Sequence, residues 1–563
     1  MIQQVGFKNF RRFEEFPMID LGNINIIVGR NNAGKSTVLK ALQLIKGNLN
    51  TLSNISNAKS IFASMKPMFI FDVDEMAELH IDNFERALYN KASRKEITLS
   101  ANLDGFLFTI VLDGQNIKQN NYYVAVPYNF IELKNSNVHI TFNFQTRDLH
   151  LEMKAISNKE NEEKIAKLSQ DRNNYLTTLD NIKNELREIA PMFHAESGSS
   201  LSTSEMVEMI SKRQKLEQMQ KSYQKQLDAT ESEIATIEST TLKPISVDIK
   251  NLPEFSDTVK VNVIGQIFHN ISNYVHMQLN MDKRTSEYKE AYEVQEKLKN
   301  VHDDLMTEGK KFLCVLADFE MEYIHAHAAS QKVIYLKEDR NDTLSRVLSG
   351  FCKARIVPGS KEWTFVKKWM KEFEIGADFR ILDVESAGYM LKIFDEGEDP
   401  ECEFGMNLAD KGTGSIQLMT LLLSLAVIMH KNKRPEGYTP TVLIEEPEQN
   451  IHPMLQSMLA DMFLDFWNQD DWYNYDCQLI IETHSEYLVR RTQLLVAEKN
   501  YKTNQEVNEN NPFKVFYFPS EKGKYPYDMQ YMPNGMFANK FDSGFFDEAG
   551  HMHMEILKKS KKG

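Results

Sequence analysis

One stretch of the sequence has the residue types and the spacing of a site that holds phosphate groups. The pattern G-x-x-x-x-G-K-[ST] runs from Gly29 through Gly34 and Lys35 to Ser36. Glycines let backbone N–H groups approach phosphate oxygens, a lysine reaches the terminal phosphates, and a serine hydroxyl binds Mg²⁺. The pattern therefore predicts a nucleotide-binding loop. The residues predicted to contact the nucleotide in this loop are Gly29, Asn31, Asn32, Ala33, Gly34, Lys35, Ser36 and Thr37.

Two adjacent carboxylates form a second group that could do chemistry. The apolar run Val442–Ile444 ends in Glu445 and Glu446, and Pro447 follows. A sheet that binds nucleotide presents one acid to Mg²⁺ and another to the attacking water at such a strand end. Because side chains alternate along a strand, both acids can face one site only where the strand ends, as it does at Pro447. We therefore predict that Glu445 belongs to the metal shell and that Glu446 is the general base.

A third group follows another apolar run, Gln478–Ile481, which should deliver Glu482, Thr483 and His484 to the same edge of the sheet. A histidine in this position could donate a hydrogen bond to a γ-phosphate. Taken alone, a histidine after a strand is more often a surface or capping residue. After a strand that ends in paired acids, the pattern favours a catalytic role for His484.

Strands and helices must position these groups. The β-branched run Ile24–Val28 predicts a strand before the phosphate loop, and Val38–Ile45 has the apolar spacing of a helix after it. The N-terminal 28 residues predict two strands with a turn at residues 17–23. Residues 408–422 predict a glycine-containing turn that continues as an apolar helix.

The segment between the two halves of the site has two different periodicities of apolar residues, one in each part. Alternating residues between 96 and 153 predict antiparallel strands with a turn at Asp104-Gly105. Heptad spacing then begins near Ile165, stops at Ala190-Pro191, and resumes in a second register from Met206. This pattern favours an antiparallel coiled-coil hairpin. Two ordinary surface helices packed on the body are the alternative.

The composition weighs against several classes of protein. Lys plus Arg total 66 and Asp plus Glu total 80, so the net charge of −14 argues against a broadly basic surface that coats DNA. The longest apolar run, Leu418–Met429, is too short to span a bilayer. The cysteines lack C-x-x-C spacing, which favours neither a zinc site nor a disulfide framework. We expect a cytoplasmic protein without a membrane partner. The four cysteines are Cys314, Cys352, Cys402 and Cys477.

The motifs together resemble a known family. GRNNAGKST, the glycine-bearing turn before a helix, the strand ending in EEPE with NIHP behind it, and IETHS resemble, in that order, the ABC-type ATPase heads of the SMC, RecF and OLD groups. They look most like the OLD-like ATPases of anti-phage defence systems such as Septu and PARIS. The motifs cover the nucleotide domain, which is about half of the chain.

This resemblance implies a dimer in which two heads enclose two ATP molecules. Each nucleotide would lie between the phosphate loop of one subunit and the signature turn of the other. The turn here departs from the usual Ser-Gly-Gly-Gln. Its residues, predicted to contact the nucleotide, are Asp410, Lys411, Gly412, Thr413 and Gly414.

The resemblance also implies roles for single residues. His484 is the switch histidine, and Asn450 and His452 belong to a loop that links the two sites. Gln145 is the candidate for the glutamine that completes the metal shell with Ser36 and Glu445. The remaining candidates are Lys8, Asn9, Arg11 and Arg12, near the nucleotide or on a solvated strand edge, and Arg340, which resembles an arginine of the defence ATPases.

The sequence thus predicts an α/β P-loop NTPase fold with an ABC-type two-lobed head, interrupted by an antiparallel coiled-coil and helical insertion. The expected function is Mg²⁺-dependent ATP hydrolysis by heads that dimerise on ATP and control a separate nuclease or toxin in phage defence. The alternatives are a RecF- or SMC-like ATPase that repairs or clamps DNA, with nucleic acid as its partner, and a scaffold gated by ATP with negligible turnover. No Asp-x-Asp pair follows His484, so we expect no built-in nuclease. The predicted segments are lobe I (1–154), the hairpin (155–240), a helical segment (241–330), lobe II (331–500) and a tail (501–563) that packs on the head or on a partner.

Overall fold

The described part of the chain is built from three sheets and the helices that cover them. The computed structural model describes residues 1–53, 67–71, 81, 83–119, 124–154, 159–189, 203–241, 244–253, 262–279, 282–325, 331–339, 342–385, 387–401, 404–431, 440–468, 477–519, 521, 524–543 and 545–560. The strands are β1 (Ile2–Phe10), β2 (Phe13–Asp20), β3 (Ile24–Gly29), β4 (Met68–Phe71), β5 (Glu96–Leu103), β6 (Phe106–Asp113), β7 (Lys118–Gln119), β8 (Val124–Lys134), β9 (Val138–Asn143), β10 (Leu149–Lys154), β11 (Pro244–Ile249), β12 (Met321–Ile324), β13 (Tyr335–Leu336), β14 (Asp378–Val384), β15 (Gly388–Phe394), β16 (Met406–Asn407), β17 (Thr441–Glu445), β18 (Gln478–Glu482), β19 (Phe513–Phe518) and β20 (Tyr527–Asp528). The helices are α1 (Lys35–Ser53), α2 (Phe84–Ala87), α3 (Lys159–Ile189), α4 (Thr203–Thr241), α5 (Val263–His276), α6 (Ser286–Ala317), α7 (Thr343–Lys353), α8 (Lys361–Glu372), α9 (Thr413–Lys431), α10 (Pro453–Trp467), α11 (Glu486–Glu498), α12 (Asn504–Asn510) and α13 (Glu548–Ser560).

The central sheet has the strand order β12-β17-β18-β3-β19-β20. All neighbouring pairs are parallel except β19 with β20. In the register of this sheet, Glu445 lies opposite Glu482, and Glu482 lies opposite Ile27. The strand that carries the phosphate loop and the two strands that carry acids therefore end at one edge.

The central sheet is covered on both faces, which explains the apolar run before the phosphate loop. Every residue of β3 is buried. Ile24, Ile26 and Val28 belong to a core with residues of α9, α10 and α11, whereas Ile27 belongs to the core that includes α1. Such alternation between two cores is what a parallel strand covered on both faces requires.

The second sheet is antiparallel and follows the order β11-β10-β9-β8-β6-β5-β1-β2, with β4 and β7 pairing with β8. The predicted turn at Asp104-Gly105 connects β5 to β6. The expectation of two strands before residue 28 is wrong, because three are present and the chain turns at Arg11-Arg12. Pro17 lies within β2, where it is tolerated because β2 is an edge strand of this sheet.

The helices α3 and α4 run antiparallel, as the heptad spacing predicts. Lys164 forms an ion pair with Glu233 at 3.0 Å, and Lys212 forms one with Glu185 at 3.7 Å. Between these contacts Ile182 packs against Leu216. The predicted break at residues 190–191 lies outside the described residues.

Residues 241–330 hold the helices α5 and α6, as the predicted helical segment requires, and two short strands flank them. Strand β11 extends the antiparallel sheet beside β10, and β12 pairs with β17 in the central sheet. The return to the central sheet therefore occurs at residues 321–324, before the predicted start of lobe II at residue 331. A strand of four residues is too short to show a period of its own and is specified by its partner strand.

Helix α9 is long and apolar enough to cross a membrane by length and composition. In the structure, residues 416–426 are all buried, and the helix packs against α7 and α8. Its apolar character is therefore that of a core helix covering the central sheet.

Candidate nucleotide site

The phosphate loop connects β3 to α1 and needs glycine at its turn. Gly34 has φ +99°, in the region that favours glycine. A Cβ atom at this position would lie 2.6 Å from a ring atom of Phe13 and 2.7 Å from Cδ of Arg12. The backbone here is thus free to approach a ligand only because the residue has no side chain.

Lys35 is buried within this loop. Its Nζ donates to the carbonyl oxygens of Gly29 at 3.1 Å and Arg30 at 3.2 Å, and it lies 4.0 Å from Oε1 of Glu482. Burial lowers the pKa of Lys35, and nearby carboxylates, first Glu482 and then Glu446, oppose that effect. The ammonium group therefore lies between the loop and the acids at the strand ends.

Ser36 contacts an acid that the sequence did not assign. Its hydroxyl donates to Oε1 of Glu482 at 2.8 Å. The Glu482 side chain is only 2% exposed, and its Oε2 meets no hydrogen-bond donor among the described residues. Burial, with help from Glu445 and Glu446, raises the pKa of Glu482 to about 7 although Ser36 and Lys35 favour the carboxylate. The predicted partner of Ser36 was Glu445, but β18 lies between β17 and β3, so Glu482 is one strand nearer.

The paired acids Glu445 and Glu446 face different partners. The hydroxyl of Tyr323, on β12, donates to Oε2 of Glu445 at 2.5 Å. Glu446 has φ +42°, and its backbone N–H donates to the carbonyl of Glu482 at 2.8 Å. Its Oε1 lies 3.4 Å from Nε2 of His484. The left-handed backbone of Glu446 ends the strand alternation and turns its carboxylate toward His484.

Glu448 was not predicted, yet it holds the position of His484. Its Oε1 accepts a hydrogen bond from the His484 backbone N–H at 2.5 Å. Glu448 is 8% exposed, and burial raises the pKa of this carboxyl group. This contact fixes the loop after β18 against the loop after β17.

A cavity of about 950 Å³ opens beside the phosphate loop. Its lining includes Arg11, Arg12, Lys40, Arg86 and Lys524. Burial, and then the neighbouring Arg86, lower the pKa of Arg11. Seven lysines and arginines and five glutamates line it in all, so the cavity has a small excess of basic groups, which suits a polyphosphate ligand.

The basic residues near the N-terminus were predicted to lie either near the nucleotide or on a solvated strand edge. The structure places some of them in each setting. Arg11 and Arg12 line the cavity. Lys8 instead forms an exposed ion pair with Glu15 at 2.9 Å. Asn9 has φ +54° and its carbonyl accepts a hydrogen bond from the N–H of Tyr89. Arg340 lies outside the described residues.

The signature turn precedes α9 and is largely exposed. Gly412 has φ +92°, and a Cβ there would meet no atom within 4 Å. A Cβ at Gly414 would lie 2.6 Å from the carbonyl oxygen of Asn450, so this glycine packs against the loop after Glu446. Lys411 contacts Asp395 at 2.8 Å, and Asp410 and Thr413 are exposed. Residues 410–414 do not line the cavity beside the phosphate loop.

His452 caps α10, with Nδ1 accepting from the N–H of Met454 at 3.3 Å.

Gln145 lies apart from this group. It is exposed in the turn between β9 and β10, and its amide donates to Asp113 at 3.0 Å. It does not line the cavity that contains Ser36. The arrangement seen here therefore gives no support to Gln145 as a metal ligand.

The residues present fit a nucleotide with Mg²⁺. Ser36 and Glu482 supply oxygen atoms, and one buried oxygen of Glu482 lacks a donor. One ligand atom each of Glu446, Glu482 and His484 lies within 4.8 Å of the others. Oxygen is the ligand that Mg²⁺ prefers. Glu482 stands in the predicted motif IETHS, but only the strand order reveals that it meets Ser36.

The predicted tail (501–563) is not separate from the head, because β19 and β20 lie within it and are strands of the central sheet. Arg30 of the phosphate loop donates to the carbonyl oxygen of Ser543 at 2.9 Å. The ring of Tyr517, on β19, lies 5.0 Å from that of Phe545. Phe545 also lines a second cavity with Arg30 and His484. Ser543 and Phe545, which follow these strands, therefore pack on the head beside the phosphate loop.

Comparison with known proteins gives a family match over most of the chain. The AAA ATPase domain family matches residues 1–489. An ATP/GTP phosphatase of Helicobacter pylori is 23% identical over 295 residues, which are 49% of this chain and 71% of that protein. An uncharacterized protein of Methanocaldococcus jannaschii is 52% identical over 44 residues, and this match spans 8% of the chain and 20% of that relative.

The crystal structure of an Smc head bound to the C-terminal winged-helix domain of ScpA aligns over 94% of this chain and 97% of that one, with 9% identity and a TM-score of 0.30. A superposition this weak adds nothing to the family match. The P-loop ATPase fold follows from that match and from the central sheet.

Proposed function

Because the chain belongs to the AAA ATPase domain family, we propose that it hydrolyses ATP with Mg²⁺ at the phosphate loop and the ends of β17 and β18. One observation carries this proposal: Ser36 bonds Glu482, 446 residues away in the chain, and Lys35 lies beside both. Pairing of β18 with β3 thus places a buried acid within hydrogen-bond distance of the loop that is predicted to bind phosphate.

The chain's own residues supply most of the reaction. The backbone of the loop and Lys35 bind the phosphates, and the basic cavity holds the rest of the nucleotide. When bound, Mg²⁺ neutralises charge that develops on the transferred phosphoryl group. Glu446 accepts the proton of the attacking water as general base. His484, 3.4 Å from that carboxylate, orients it.

Replacement of the base tests this assignment. Glu446→Gln keeps the size of the side chain but cannot accept the proton, so we expect phosphate release to slow by at least about 100-fold. ATP binding, measured by calorimetry, should stay within a few fold of wild type. Glu217→Gln removes an equal charge from an exposed ion pair with Arg213 and should leave turnover unchanged. Normal turnover by the Glu446 variant would show that another group is the base.

The biological role that we propose is the sensor and regulatory ATPase of a cytoplasmic anti-phage system, in which closure of a head dimer controls a separate nuclease or toxin. The support is the resemblance of the motif set to OLD-like defence ATPases, together with an exposed signature turn and a pair of antiparallel arms that could carry closure to a partner. A DNA-clamping ATPase is the second candidate. The local basic cavity favours it, whereas the net charge of −14 weighs against it.

Two measurements separate these roles. The Glu446→Gln protein should double in mass with ATP and, when purified from its native cells with ATP, retain a nuclease or toxin. A DNA clamp would instead bind duplex DNA with an affinity that falls steeply as salt rises. A scaffold gated by ATP would change its mass with ATP although the wild type turns over negligibly.

A further inference from the structure

Glu482 is the carboxylate nearest to the serine that Mg²⁺-binding loops use, yet the proposed reaction gives it no role. Its Oε1 and the Ser36 hydroxyl oxygen are 2.8 Å apart. In an octahedral Mg²⁺ shell with bonds of 2.0–2.1 Å, two adjacent ligand oxygens lie about 2.9 Å apart. The hydrogen bond therefore holds the two oxygens close enough together for both to be ligands of one ion.

The burial of Glu482 points the same way. Its side chain is 2% exposed, and Oε2 has no hydrogen-bond donor among the described residues. A buried carboxylate oxygen without a partner is costly and calls for an ion or a water. Among the described residues, Lys35 is the cation that forms an ion pair with Glu482. Its Nζ lies 4.0 Å from Oε1, the other oxygen of this carboxylate.

The competing acid is occupied. Glu445 is the residue that the sequence predicts for the metal shell. Its Oε2, however, accepts a hydrogen bond from the Tyr323 hydroxyl at 2.5 Å. Glu445 also lies one strand farther from β3 than Glu482 does.

We propose that Glu482, together with Ser36, binds the Mg²⁺ of the nucleotide directly, and that Glu445 acts only through its hydrogen bond to Tyr323. This inference rests on the proposed ATPase function. Glu482 is then a ligand whose charge matters for metal affinity and not for retention of the phosphates. Glutamine at this position keeps an oxygen that can accept from Ser36 but is a far weaker ligand for Mg²⁺.

Mn²⁺ tests the proposal without any turnover. The dissociation constant of Mn²⁺ is measured by electron paramagnetic resonance on the full chain saturated with the β,γ-imido analogue of ATP. We expect Glu482→Gln to weaken Mn²⁺ binding by at least about tenfold, with a smaller loss for Glu445→Gln. Affinity for the same analogue in EDTA should be equal or tighter in Glu482→Gln, because a negative charge near the phosphates is removed.

Failure of the metal role of Glu482 can be distinguished from failure of the ATPase proposal. Mn²⁺ affinity that is unchanged in Glu482→Gln, or an equal loss in Glu445→Gln, overturns the metal role of Glu482 while leaving ATP hydrolysis intact. If wild type fails to bind the analogue, the ATPase proposal fails first. If Glu482→Gln does not fold, Glu482→Asp keeps the charge on a shorter side chain. It should weaken Mn²⁺ binding as well, and full affinity there overturns the proposal.

Discussion

At the scale of single residues, the site depends on one buried cation beside several acids. Lys35 is 4% exposed, and it lies 4.0 Å from Glu482 while donating to two loop carbonyls. Burial of an ammonium group is tolerated here because carboxylates surround it. The same position would let Lys35 meet the phosphates of a bound nucleotide.

Lys35→Ala should therefore weaken nucleotide binding by roughly 10- to 150-fold or more, which corresponds to about 1.5–3 kcal/mol for a hydrogen bond to a charged group. Equilibrium dialysis with labelled ATP measures the loss. Lys297→Ala serves as the control, because it removes the same charge from an exposed ion pair with Glu293, and neither residue lines the cavity. Wild-type ATP affinity in Lys35→Ala would contradict the role of the loop in binding phosphate.

At the scale of elements, the turn between β3 and α1 is fixed by contacts from a different sheet. Phe13 and Arg12 belong to the β1–β2 hairpin, and both crowd the space where a side chain at Gly34 would lie. Strand β2 is held by pairing with β1. The phosphate loop is thus clamped between the central sheet and the edge of the antiparallel sheet.

Gly34→Ala should destabilise the protein by about 1–3 kcal/mol and also weaken ATP binding, since it combines a left-handed backbone with a collision. Urea unfolding and calorimetry measure the two effects. Gly105→Ala is a matched control: φ there is +85°, but a Cβ would meet no atom within 4 Å. Gly105→Ala should lose only the stability that a left-handed backbone costs a residue other than glycine. Its ATP affinity should be normal. Equal effects in the two variants would mean that contact with Phe13 and Arg12 does not shape the loop.

At the scale of the whole molecule, the phosphate loop and the signature turn occupy different surfaces of one chain. Gly412 and Thr413 are exposed, and the turn is absent from the lining of the cavity beside Ser36. In the dimer proposed from the family resemblance, a second chain would bring its signature turn to that nucleotide.

Complementation between two inactive variants tests this arrangement. Lys35→Ala removes one chain's nucleotide site, and Thr413→Glu places a negative charge at an exposed helix N-terminus, where it favours the helix but repels a partner's phosphates. Each variant alone should be nearly inactive. An equimolar mixture should recover turnover, up to about half per mixed dimer, because one of its two symmetric sites is intact. No recovery by the mixture, with both variants folded, would argue that each chain works alone.

The sequence by itself determined the chemical groups and their local setting. The phosphate loop is contiguous, so its glycines, Lys35 and Ser36 could be read from spacing, and β3 and α1 follow from the apolar patterns beside it. The strands that end in Glu445 and Glu482, and the antiparallel helices α3 and α4, were likewise evident from local periodicity. A strand as short as β12 has too few residues to show a pattern.

Only the tertiary structure decided which of these groups meet. The strand order β17-β18-β3 places Glu482 beside Ser36 and leaves Glu445 to Tyr323. It also brings Arg11 and Arg12 to the cavity and leaves Gln145 with Asp113. Local residue patterns specify a strand and its buried faces. They do not specify its neighbours, because the order of parallel strands is set by packing between segments that lie hundreds of residues apart in the chain.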